Sequence, residues 1–158
     1  MTAKKKTEKS EASEKPAQKK VSAKDEGKVV HISGTRKRSI ARATLKEGKG
    51  IIRINSYLLN NLKPDLARDR IMEPLIISGD LANKVNIQVN VKGGGWRSQS
   101  DAVRLAISRA LVKYSKSKVL EKSFIDYDRN IIVADIRRKE QRKPNDSKAR
   151  AKRTKSYR

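Results

Sequence analysis

From Val85 to Val91 the chain reads "VNIQVNV", with Val85, Ile87, Val89 and Val91 alternating strictly with Asn86, Gln88 and Asn90. A period of two predicts a strand with one buried and one open face. "SIARATLKEG" repeats the rhythm, placing Ala41, Ala43 and Leu45 on one face and Ile40, Arg42 and Thr44 on the other. "KVVHISGT" reads as a preceding strand that closes at a Gly34 turn, and "IIRIN", after the "EGKG" turn, as a third short strand. "GGG" at 93–95 stops the Val85 strand.

Elsewhere the spacing changes to that of helices. Residues 56–78 read as two helical pieces, with Pro64 and Asp65 in the first turn of the second and Gly79 at its end. A long helix is expected from about Ser98 to Ser115, with Ser98 or Ser100 as N-cap and Asp101 near the positive end of its dipole. Ala102, Val103, Ala106, Ile107, Ala110, Leu111 and Tyr114 form its apolar stripe. A shorter helix over 117–124 and the segment "NIIVADI" complete the core, and no apolar periodicity remains beyond Ile136. The expected fold is α+β, a small mixed sheet of about four strands packed with two or three helices. Residues 1–28, rich in Lys, Glu, Ser and Ala, read as a disordered extension, 29–136 as a globular domain and 137–158 as an extended basic tail.

Charge sharpens this picture. Lys and Arg total 40 against 17 acids, a net charge of +23 over 158 residues. Residues 1–28 carry nine basic and five acidic side chains, 29–136 carry 20 and 10, and 137–158 carry 11 and two. The last 22 residues therefore hold nearly as much excess charge as the whole central domain. Such density opposes compaction unless a polyanion neutralises it. An anionic membrane would require a long apolar run or a basic helix with a bulky apolar face, and neither is visible. Residues 1–28 contain no apolar stretch of the kind a signal peptide needs. With no cysteine, disulfides and thiolate metal sites are excluded. A cytoplasmic nucleic-acid binder is the class that remains.

Catalytic chemistry finds little support. The one histidine, His31, lies in a strand-like run without a nucleophile or base beside it, and reads as structural. Carboxylates fall beside basic residues, as in "ARDRIME" and "DYDRN", and no metal-ligand spacing occurs. "VKGGGW" lacks both the Gly-Lys-Ser/Thr ending of a nucleotide-binding loop and the spaced dinucleotide fingerprint. No cofactor, metal or catalytic residue is expected.

Phosphate binding is better supported. In "GTRKRSIARA", Arg36, Lys37 and Arg38 are consecutive cations and Arg42 continues them along the next strand. A merely solvated hairpin would carry compensating acids, yet none occurs from Val29 until Glu47. Lys92 precedes the three glycines, which allow an RNA backbone close approach, and Arg97 follows them with a phosphate contact. Trp96 is either a stacking plane for a base or a core anchor; the residues leave both open. On the long helix Arg97, Arg104, Arg109, Lys113 and Lys116 lie off the apolar stripe, which predicts an exposed cationic side. In the tail Arg137, Arg138, Lys139, Arg142, Lys143, Lys148, Arg150, Lys152, Arg153, Lys155 and Arg158 are spread among small residues and Pro144. Such a segment stays extended until phosphates order it, and its arginines can grip phosphate bidentately.

"GTRKRSIARATLKEGKGIIRIN", "VNIQVNVKGGGWRSQSDAVRLAISRAL", "DYDRNIIVADIRRKEQRKP" and "KARAKRTKSYR", in this order and spacing, resemble the family of ribosomal protein nine of the small subunit. The likeness covers about residues 28–158, and the "KSYR" ending is of the archaeal or eukaryotic type. The resemblance implies a left-handed βαβ crossover, as in domain two of ribosomal protein five, and a non-enzymatic role in translation. It also implies a place in the head of the small subunit, on 16S-type ribosomal RNA and beside other head proteins. The tail would run through ribosomal RNA, lined by basic residues from Arg137 to Arg153, to the anticodon stem-loop of the peptidyl-site tRNA. Arg158, with Lys155 and Tyr157 close by, would contact that tRNA. The competing reading is a non-ribosomal, chromatin-type architectural nucleic-acid binder, which should prefer duplexes and insert minor-groove wedges.

Overall fold

The computed structural model describes residues 28–144 and 148–151. Five strands form one mixed sheet: β1 (Val30–Arg36), β2 (Ser39–Glu47), β3 (Ile52–Ile54), β4 (Tyr57–Leu58) and β5 (Val85–Lys92). Their spatial order is β1-β2-β5-β3-β4. β1 and β2 make a hairpin, β2 runs antiparallel to β5, and β3 lies parallel to β5 on its other side. The parallel pair needs a crossover, supplied by α1 (Asp65–Ser78) and the single turn α2 (Asp80–Asn83). α3 (Trp96–Ser115) and α4 (Lys118–Tyr127) follow β5.

The alternation in β2 and β5 appears as expected. Ser39, Ala41, Ala43 and Leu45 are buried with Val85, Ile87, Val89 and Val91, while Ile40, Arg42, Gln88, Asn90 and Lys92 are exposed. α3 lies across the buried face of β1, β2 and β5, and α1 packs beside α3. Phe124 from α4 and Ile131 close the core with Leu45, Ile71, Ile107 and Leu111. Each such side chain contributes about 1.5–3 kcal/mol by leaving water. No helix or strand crosses the opposite face of the sheet among the described residues, so a two-layer α+β domain results, with one open sheet face.

Several boundaries differ from expectation. β1 continues to Arg36, and the turn is the pair Lys37–Arg38, with Lys37 at a φ of 51°. Gly34 therefore lies inside a strand rather than at a turn. It is glycine because α3 crosses there: a Cβ would come 2.4 Å from the Ala102 carbonyl oxygen and 2.8 Å from the Ala106 nitrogen. α3 starts at Trp96, capped by Gly95, instead of near Ser98. Ser98 and Ser100 do not cap it, because their hydroxyls donate to the Gly95 and Arg97 carbonyls in the first turn. Residues 56–61 form β4 and a 3₁₀ turn (Leu59–Asn61) instead of a helical piece. "NIIVADI" contributes a 3₁₀ turn (Arg129–Ile131) and then a segment without regular structure. The disorder expected for residues 1–28 lies, Lys28 apart, outside the described residues.

Candidate nucleic-acid interface

The β1–β2 hairpin projects its tip beyond the sheet, and two features hold that tip in place. The Ser39 hydroxyl donates to the Gly93 carbonyl at 2.8 Å and lies 2.9 Å from the Ser98 hydroxyl. Gly93, at a φ of 78°, passes so close to the hairpin that a Cβ would come 2.5 Å from the Arg38 carbonyl oxygen. The close approach expected of the glycines to an RNA backbone is therefore made, at Gly93, to the chain's own hairpin. At Gly95 a Cβ would meet nothing within 4 Å.

The segment after α4 reaches the same place from the other side. Arg104 on α3 pairs with Asp128 at 2.9 Å and with Glu73 of α1 at 2.5 Å. Arg109, one turn further along, donates through Nε to the Ile132 carbonyl at 2.7 Å. Asp135 then accepts from Arg36 at the hairpin and from the Arg137 side chain and amide. Arg36 also lies 3.7 Å from Asp101, which is paired in turn with Arg70. The Arg137 side chain and amide, with Arg36, hold the Asp135 carboxyl well below the usual carboxylate range. Burial pushes Asp128 up, but the Asn130 amide and Arg104 outweigh it and leave its carboxyl below its ordinary value.

These anchors correct one expectation. Arg104 is not on an exposed cationic side of the long helix: it is 7% exposed and faces two carboxylates. Arg109 is partly covered by the segment it binds. Both arginines seat the C-terminal segment on α3. Neither acid stands out in the sequence: Asp128, in "DYDRN", reads as local charge balance, and Asp135 carries no local signal.

Between hairpin tip and C-terminal segment lies a cleft of about 1120 Å³. Arg36, Lys37 and Arg38 form one wall, Arg137, Arg138 and Lys139 the other, and Gly94, Gly95 and Ser98 lie between them. The first turn of α3 borders it and adds the positive end of a 20-residue helix. Arg36 and Arg137 are held by Asp135, whereas Lys37, Arg38, Arg138 and Lys139 meet no carboxylate among the described residues. Two cationic stretches that lie far apart in sequence thus converge on one site.

Arg42 and Lys92 lie on the open sheet face. Arg42 stands between Ser33 and Asn90, and Lys92 beside Ile40 at the cleft end. His31, whose Nδ1 is 3.0 Å from the Thr44 hydroxyl, shares this face with Lys46, Gln88 and Arg53. None of its strand positions is acidic. Arg97 is exposed in the first turn of α3, and Trp96 beside it is half-exposed, its indole bordering a hollow that Ile54, Ile71, Val91 and Val103 also line. Arg142, Lys143 and Lys148 are exposed, and Arg150 pairs with Glu140 through two nitrogens. Lys152, Arg153, Lys155, Tyr157 and Arg158 lie outside the described residues. Among the described residues no cluster of His, Asp and Glu could hold a metal ion, and no helix is long and apolar enough to cross a membrane.

The sequence profile of the family described as ribosomal protein S9/S16 matches residues 34–158. The chain is similar to the small ribosomal subunit protein uS9 of Methanothrix thermoacetophila, with 47% identity over 131 residues, covering 83% of this chain and 99% of that protein. It is also similar to the protein of the same name from Methanococcus maripaludis strain C7, with 45% identity over 133 residues and the same coverage. The chain therefore belongs to the ribosomal protein S9/S16 family.

Proposed function

We propose that the chain is a structural, non-enzymatic protein of the small ribosomal subunit that binds 16S-type ribosomal RNA through the cleft and the open sheet face. The observation that carries this reading is the pair of cationic walls, Arg36–Arg38 opposite Arg137–Lys139, on one cleft. A polyanion with closely spaced phosphates satisfies both walls at once, which no single small anion does. The names of the curated relatives support the ribosomal assignment. In this reading residues 29–136 fold as the gripping unit in the head of the subunit, beside other head proteins. Residues 137–158 continue as a basic finger through ribosomal RNA, and Lys155, Tyr157 and Arg158 meet the peptidyl-site tRNA.

Density-gradient sedimentation of a cell extract tests the first part: the chain should travel with small subunits, and its absence from that fraction would reject the assignment. Removing residues 145–158 tests the finger. Truncated protein should still enter subunits, and those subunits should bind peptidyl-site tRNA more weakly; undiminished tRNA affinity would remove the finger role.

A further inference from the structure

We infer that Trp96 is a stacking platform for an unpaired RNA nucleotide, whose flanking phosphates are taken by Lys37 and Arg97. The inference rests on the RNA-binding reading above and adds the kind of RNA element the site accepts. Trp96 is the first residue of α3 and is 50% exposed, although the same fold buries Phe124 completely. Its indole borders two hollows. One, of about 480 Å³, is lined with Lys37, Arg70, Arg97, Ser98 and Asp101 and adjoins the cationic cleft through Arg36 and Gly95. The other, of about 210 Å³, lies towards the core, lined by Ile54, Leu62, Ile71, Val91 and Val103, with Tyr57, itself 67% exposed, and Lys63.

The neighbours of the exposed indole decide what fits it. On the side of the first hollow, an apolar protein side chain would have to be buried among guanidinium and ammonium groups, at their desolvation cost. A nucleobase presents a flat π-face to the indole and carries phosphates on either side for the cations. The base must be unpaired, because inside a duplex its faces are already stacked. Stacking needs only a π-face, so the site should tolerate any base.

The chain has one tryptophan, so its emission reports this position alone. Full-length protein is titrated with oligouridylate, with oligoadenylate and with a blunt RNA duplex of equal length. Indole emission and the anisotropy of the labelled RNA are followed together. Both single strands should quench the emission, while the duplex should bind through its phosphates and leave the emission unchanged. Trp96→Ala should lower single-strand affinity about tenfold. Trp96→Phe should keep most of it, and the salt dependence of all three proteins should be equal because no phosphate contact is lost. Equal single-strand affinity of wild type and Trp96→Ala, or equal quenching by the duplex, would overturn the stacking role. An anisotropy that shows wild type binding neither single strand nor duplex would instead overturn the RNA reading beneath it.

Discussion

Arg36 and Asp135 are 99 residues apart in the chain and hydrogen-bonded in the fold. The contact joins the hairpin tip to the point where the C-terminal segment leaves the domain. It thereby sets the distance between the two cationic walls of the cleft. Asp135 is thus a positioning residue: it neutralises part of the charge on each wall and holds the rest in place.

Asp135→Asn should therefore make stability less dependent on pH. The native carboxyl is depressed by Arg137 and Arg36, so its contribution is fully present above the ordinary carboxylate value. The contribution declines as pH falls from that value towards the depressed native one. Urea denaturation at pH 7 and at pH 3 should show wild type ahead of the variant at pH 7, with the gap narrowing at pH 3. A gap that stays constant would mean that the pair contributes nothing through its charge.

Arg104→Ala should destabilise the protein by about 3–5 kcal/mol, because Glu73 and Asp128 would be left near the interior without a counter-charge. Arg104→Lys should recover only part of the loss, since one ammonium cannot reach both carboxylates with a planar fork. Under conditions where both variants remain folded, the salt slope of their RNA binding, measured by anisotropy, should match wild type, because no phosphate contact is removed. This separates a scaffold arginine from those on the interface.

What could be read in advance follows from how local each cause is. The two faces of β2 were legible because Ala41, Ala43 and Leu45 bury one side of the sheet and the open side stays polar. The interior of α3 was legible for the same reason at helical period. Gly34 was not, since a glycine between strand residues has the same local signature whether it turns the chain or admits a helix; only the position of Ala102 decides. Arg104 was misplaced because its partners are 31 residues before it and 24 after it, and helical periodicity carries no information about either. The cationic motifs of the cleft were recognisable one by one, but their convergence depends on Asp135, which looks locally like any acid beside an arginine.

Gly34→Ala should cost about 1–3 kcal/mol, the usual penalty for forcing an extra methyl into a packed site. The atoms it meets are backbone atoms of α3, which cannot rotate away. Strand and helix must separate, and the urea midpoint should fall without a change in slope. Gly95→Ala offers the contrast. Nothing lies within 4 Å of its Cβ position, so only the lower N-cap preference of alanine opposes it, and the midpoint should fall less than for Gly34→Ala.

The cleft makes a quantitative claim about salt. Each phosphate neutralised by a side chain contributes about 0.7 to the slope of log affinity against log salt for single strands, and about 0.9 for duplexes. Lys37, Arg38, Arg138 and Lys139 meet no carboxylate among the described residues, so each is available to a phosphate. Replacing Lys37 and Arg138, one from each wall, with alanine should lower the slope by about 1.4 on single-stranded RNA. Replacing Arg68, which pairs with Asp65 and Asp69 on α1 away from the cleft, should leave it unchanged. Equal slopes for wild type and the double variant would mean that the two walls do not meet phosphates, however cationic they are.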